Sequence, residues 1–170
     1  MSCATSVHTV YDQTLAMLSG LLGKAAAHDK GDALLSAKLA DDMFPLSTQV
    51  RYAGHLVPST LNQLAGGDYT PAESDPETIA EAQTRIADLS TMLAAHLTDG
   101  WTKSDTRIEF GPGNGFNFAA EAHEYVRDWA MPNFYFHVNA AYAVLRSEGL
   151  DIGKADYLPF MMKYLVPPTE

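Results

Sequence analysis

The stretch VHTVYDQTLAMLSGLL, Val7–Leu22, decides the fold class. Val7, Val10, Tyr11, Thr14, Leu15, Leu18, Leu21 and Leu22 recur at steps of three and four, the spacing of a helix with one buried stripe. Gly31, after His28, Asp29 and Lys30, tolerates the positive φ at which such a helix stops, and a short connector follows.

Downstream the pattern resumes from Phe44 through Leu46, Gln49, Val50, Ala53, Leu56, Val57, Leu61 and Leu64, behind Asp41 and Asp42, whose charges favour a helix start. A second helix is therefore predicted to about Ala65, ended by Gly66 and Gly67. Pro58 removes one of its backbone hydrogen bonds, so a kink or break is expected there. Ser74, Asp75, Pro76 and Glu77 carry the capping residue, first-turn proline and capping-box acid of a third helix. Its stripe is Ile79, Ala82, Ile86, Leu89, Leu93 and Leu97, with Asp99 and Gly100 at the exit.

Between Thr106 and Phe118 the period becomes two. Ile108 and Phe110 alternate with Arg107 and Glu109, and Phe116 and Phe118 follow the turn Gly111, Pro112, Gly113, Asn114, Gly115, which predicts a β-hairpin. This turn lacks the Lys and Ser or Thr of a phosphate-binding loop. Ala119 to Ala130 returns to helical spacing, and Pro132 is expected to interrupt it. A fourth long helix carries Phe134, His137, Val138, Ala141, Tyr142, Val144 and Leu145 and ends at Gly149. The aromatic and Met-rich tail Tyr157–Leu165 is expected to pack on the bundle or on a second subunit. The fold class is all-α: a four-helix bundle with a small β-hairpin before the last long helix, one domain over residues 1–170.

Composition narrows the function. With 170 residues, 46% hydrophobic and 19% charged, the chain suits one core and is too interrupted for a membrane span. A net charge of −10, from 21 acids against 11 scattered bases, repels a phosphate backbone and excludes nucleic acid as a partner. No Lys or Arg precedes Lys24, so a secretory signal is absent from the pattern and a cytoplasmic location is expected. Cys3 is the only cysteine, which rules out an internal disulfide, and its terminal place argues against a catalytic thiol.

The six histidines, His8, His28, His55, His96, His123 and His137, include no pair three or four apart, and no acid stands three residues before any of them. Neither a one-helix chelate nor a di-iron carboxylate pattern is present, leaving only a site assembled from different helices. His137 falls on the apolar stripe of helix four, where a polar ring needs a partner. Gln49 interrupts the stripe of helix two and is placed to hydrogen-bond across the bundle to it. The favoured reading of His137 is a core histidine with its hydrogen bond satisfied. His8, His28 and His96 read as surface residues near helix ends; His55 lies off the main stripe and His123 precedes the Pro132 interruption. Glu121, Glu124 and Asp128 form a carboxylate row that reads as a solvated face. No HExxH or GxSxG occurs, and nothing in the sequence assigns a reaction.

Asp42, Met43, Phe44, Pro45 and Leu46, with Trp129, Ala130, Met131, Pro132, Asn133, Phe134, Tyr135, Phe136 and His137, make the chain resemble a bacterial domain-of-unknown-function family of the DinB/YfiT-like superfamily. The likeness spans nearly the whole chain, to Gly149–Tyr157. It implies a four-helix bundle, often dimeric, whose better-known members hold a divalent metal with three histidines and include thiol-dependent transferases and isomerases. Those members place one histidine on helix two and an HxxxH pair on helix four. Here Gln49 stands near the first place, and Ala141 follows His137 by four, so one ligand of three remains. The expectation is a homodimeric bundle without the three-histidine metal site, binding a small molecule in a central cleft lined by Gln49, Tyr52, Asn133 and His137. Two alternatives stand beside it. One is a metal-dependent thiol transferase or isomerase recruiting His55 or His123. The other is a structural or partner-binding dimer marked by an exposed patch of Tyr157, Phe160, Met161 and Tyr164.

Overall fold

The computed structural model describes residues 3–96, 100–111 and 115–166. Predicted features at Leu97, Asp99, Pro112, Gly113 and Asn114, and the Cys3 side chain, lie outside the described residues. Helix α1 spans Cys3–Ala26. It buries Val7, Tyr11, Leu15, Leu18, Leu21 and Leu22 as its spacing requires. It ends before Gly31, whose φ of 47° opens a 3-10 segment, Gly31–Ser36, instead. That segment buries Leu34 and Leu35 and sends Asp32 to accept the Ile79 amide at the start of the third helix, 2.8 Å away.

Helix α2 runs over Leu46–Leu64 without a break at Pro58, contrary to the stronger form of the expectation. Pro58 is buried inside the helix, and the backbone bond it removes does not end it. Phe44, Asp41 and Asp42 precede the helix rather than begin it, with Pro45 at the capping position. Helix α3, Ile79–Ala95, starts later than predicted. Thr78 rather than Ser74 caps it, accepting from the Glu81 amide at 3.0 Å, and the Glu81 carboxylate accepts from the Glu77 amide at 2.8 Å. The Ser74–Glu77 signal fails because Asp75 is drawn to α2, accepting from Thr48, Ser47 and Arg51.

Strands β1 (Arg107–Phe110) and β2 (Phe118–Glu121) form the hairpin, antiparallel, with Ile108 opposite Ala120. Residues Ala119–Glu121, expected to be helical, are recruited into β2 by this pairing, since alanine is readily overridden by a backbone ladder. The last helical stretch comprises α4 (Ala122–Glu124), a π-helical turn (Tyr125–Ala130) and α5 (Met131–Ser147). Pro132 therefore does not interrupt it. Its ring would clash with a carbonyl of an ordinary α-turn, and the chain widens instead, the Met131 amide reaching back to the Val126 carbonyl.

At the far end Gly149, with φ 94°, closes α5. Its amide bonds the Arg146 carbonyl, and the Leu150 amide bonds that of Leu145. A short helix α6, Lys154–Tyr157, and a 3-10 segment, Pro159–Tyr164, complete the described chain. The four long helices pack as a ring, α2 against α5 and α3, and α1 against α3 and α5. No helix among the described residues is long and apolar enough to cross a membrane.

Candidate functional site

The cleft is built by the seam between α2 and the π-helical turn with α5. Along α2, Tyr52, His55, Ser59 and Asn62 follow one another at steps of three and four. Across the seam, Tyr125, Trp129, Asn133 and His137 follow at steps of four. Each set occupies one helix face beside the apolar stripe. Between them lies a half-open cleft of about 620 Å³, closed off by Phe110 and Gly111 of the hairpin and by Pro71 of the α2–α3 loop.

Of the expected binding residues, Tyr52, Asn133 and His137 line this cleft. Gln49 does not line it: it is 1% exposed and stands behind His137. Its Oε1 lies 2.8 Å from His137 Nδ1, the cross-bundle hydrogen bond that the stripe patterns predict. The amide in turn donates through Nε2 to the Phe44 carbonyl at 3.3 Å. Tyr52 stacks on the imidazole, ring centres 5.0 Å apart and planes at 24°, and Arg51 lies over the Tyr52 ring at 4.3 Å.

Burial, followed by the nearby Arg51 charge and His55, pushes the His137 pKa down to about 4. Burial, then Arg51, also lowers that of His55. Both rings are therefore neutral near pH 7. Arg51 does not face the cleft. Its Nε donates to Asp75 Oδ1 at 2.5 Å. Burial pushes the Asp75 carboxyl up, but hydrogen bonds from Thr48 and Arg51 outweigh it and hold its pKa below the usual range. This pair ties the α2–α3 loop to α2 and so sets one wall of the cleft.

The histidine expectations divide. His55 lines the cleft with His137, whereas His123 is held elsewhere, beside the Ser104 carbonyl at 3.0 Å and Glu121 at 3.3 Å. His8, His28 and His96 are half-buried rather than plainly exposed, and His96 lies against the Tyr69 hydroxyl. The carboxylate row is structural: Glu121 and Glu124 form a reciprocal capping box for α4, and Asp128 pairs with Arg127. Trp129, Tyr125, Ser59 and Asn62 were missed as cleft residues. Their signal was present as two rows of polar and aromatic residues at helical spacing beside the stripes.

The superfamily's metal does not fit these residues. The Gln49–His137 bond occupies the first ligand place, and the third holds the buried methyl of Ala141. Among the described residues no three His, Cys, Asp or Glu side chains gather as an ion requires.

The helical bundle with its small hairpin is of the DinB-like class. Residues 4–158 match the family model described as Domain of unknown function (DUF1993), and the chain belongs to that family. It is similar to the crystal structure of a DinB family member from Shewanella denitrificans, at 28% identity over 96% of this chain and 92% of that one, with a TM-score of 0.77. No curated protein matches the chain.

Proposed function

We propose that the chain binds a small organic molecule in the α2–α5 cleft, without a metal, through Tyr52, Asn133 and His137, with Gln49 holding the imidazole from behind. The observation that carries this is the imidazole fixed at the wall of an open cleft of about 620 Å³, within the range of small-molecule sites. The test is a fragment screen by ligand-observed NMR against wild type, His137→Ala and Asn133→Ala. Fragments that bind wild type and lose binding in both variants support the reading, and binding unchanged in both removes it.

The metal-dependent thiol transferase or isomerase alternative draws no support from two imidazoles without a third donor. Protein purified without chelator or histidine tag is expected to carry less than about one-tenth equivalent of transition metal. A stoichiometric content would overturn the metal-free reading.

We also infer a homodimer, because Met161, Met162, Tyr164 and Leu165 stand at least half exposed in one short segment. Of the patch expected there, Tyr157 and Phe160 are instead half-buried, Tyr157 against Tyr142. Sedimentation at micromolar concentration is expected to show a dimer that Met162→Glu with Leu165→Glu dissociates. A wild-type monomer would sink this inference.

A further inference from the structure

The protonation of His137 follows from its neighbours. A carbonyl oxygen can only accept, so the Gln49 nitrogen 3.3 Å from the Phe44 carbonyl is the donor, and Oε1 is the atom that faces the imidazole. Oε1 can only accept as well. The proton of the neutral ring therefore sits on Nδ1, and Nε2 carries a bare lone pair. Among the described residues no hydrogen bond of the chain engages Nε2, and it is not among the buried polar atoms without partners. With Nδ1 turned to the buried amide, the Nε2 edge is the part of the ring left to the cleft.

The remaining walls specify the rest of the ligand. Among the described residues no Asp, Glu, Lys or Arg lines the cleft, in a chain that has 21 acids and 11 bases. A charged ligand would lose hydration there, and the nearest charge, that of Arg51, is already paired with Asp75. An anion would in addition meet the field of a chain with net charge −10. Tyr52, Phe110, Tyr125 and Trp129 offer flat apolar surfaces, and the Asn133 amide supplies an uncharged donor and acceptor, whereas the Asn62 amide is held at both its polar atoms by the Tyr69 backbone.

We propose that the cleft selects an uncharged, planar molecule that donates an N–H or O–H hydrogen bond to Nε2 of His137 while lying against the Tyr52 and Trp129 rings. This rests on the cleft-binding reading above and adds the chemistry of the ligand. Gln49 is a positioning residue: it sets which ring nitrogen accepts.

The test titrates four probes of similar size, phenol, anisole, benzoate and benzylammonium, into the full chain and follows backbone amide resonances. Phenol is expected to shift residues around His137 with an affinity about tenfold above the other three, the order expected for one well-made hydrogen bond. His137→Phe keeps an aromatic wall and is expected to erase the preference for phenol over anisole. Gln49→Glu places a carboxylate at Nδ1, keeps the ring protonated, turns Nε2 into a donor and is expected to move the ranking towards benzoate. Anisole binding as well as phenol to wild type, or either charged probe binding better, would overturn the proposal while leaving cleft binding intact. Silence from all four probes would remove the cleft-binding reading and this inference with it. The phenol–anisole comparison needs no variant, so it stands even where a substituted chain fails to fold.

Discussion

Helix α2 makes two polar contacts across the bundle, at Gln49 and Thr60, eleven residues and so about three turns apart on one face. At Thr60 the hydroxyl meets Tyr11 Oη at 2.9 Å and Tyr125 Oη at 3.5 Å. Thr60 and Tyr11 are wholly buried, and Tyr11 packs on Phe134 with ring centres 4.4 Å apart. At Gln49 the amide is equally buried, but its partner His137 is half in the cleft. At the first contact each hydroxyl has a partner within the chain, and burial raises the Tyr11 pKa so that the phenol stays neutral. The second leaves one imidazole nitrogen over. A satisfied buried network serves stability, whereas one with a spare acceptor at a cleft wall is available to a ligand.

The largest effect that would break this contrast lies at the sealed contact. Tyr11→Ala is expected to cost about 3–5 kcal/mol in urea unfolding, the range for emptying an aromatic site in a core. Tyr11→Phe, which removes only the hydroxyl, is expected to cost about 1 kcal/mol. A loss from Tyr11→Ala below that would mean the bundle is not packed around this ring.

Asp75 comes next, because it belongs to the cleft end only through the loop it anchors. Asp75→Ala leaves Arg51 without its carboxylate and is expected to cost about 1–3 kcal/mol. It should also speed proteolytic cutting in the 66–78 loop. Unchanged cutting would show that Pro71 and its neighbours are held by other contacts.

Gln49→Leu is expected to cost less, about 0.5–1.5 kcal/mol, since the half-exposed His137 can exchange the lost bond for water. A cost matching that of Tyr11→Ala would erase the distinction between the two contacts.

The remaining effect is a loss of stability at low pH, and it vanishes at neutral pH. The His137 pKa is pushed down to about 4, against about 6.5 for an unfolded histidine. Above pH 6.5 both states are neutral and the contribution is fully present. As pH falls from 6.5 towards 4 the unfolded chain takes up the proton first, so stability declines through that window until the folded ring titrates as well. His55, also lowered, acts in the same direction. Resolving the His137 ring resonances against pH is expected to give a midpoint well below 6, rising above 6.5 in Gln49→Glu. A wild-type midpoint near 6.5 would show a ring more hydrated than its packing implies.

The elements most legible from sequence were those with the longest uniform stripes. Val7–Leu22 is buried along its spacing, and the hairpin lies where the period changes. Ser74–Glu77 misled because a strong local start signal was outweighed by three donors on α2 that claim Asp75. Pro132 misled because a proline's clash can be absorbed by one widened turn rather than by ending the helix. At the site, Gln49 and His137 were legible as a pair because each was a polar residue on an apolar stripe, and each therefore required a partner.

Periodicity is a property of one helix at a time, so the sequence by itself determined the class of fold, the buried stripes, the acidic surface and the two stripe residues that needed each other. Which rows face each other across a cleft depends on how helices cross, and only the tertiary structure decided it. That packing brought His55 to the wall beside His137 and left His123 elsewhere. It set Gln49 behind the ring rather than in the cleft, and it lined the opening without a single charge among the described residues. The physical reason is that desolvation and hydrogen-bond satisfaction act on neighbours in space, whatever their separation along the chain.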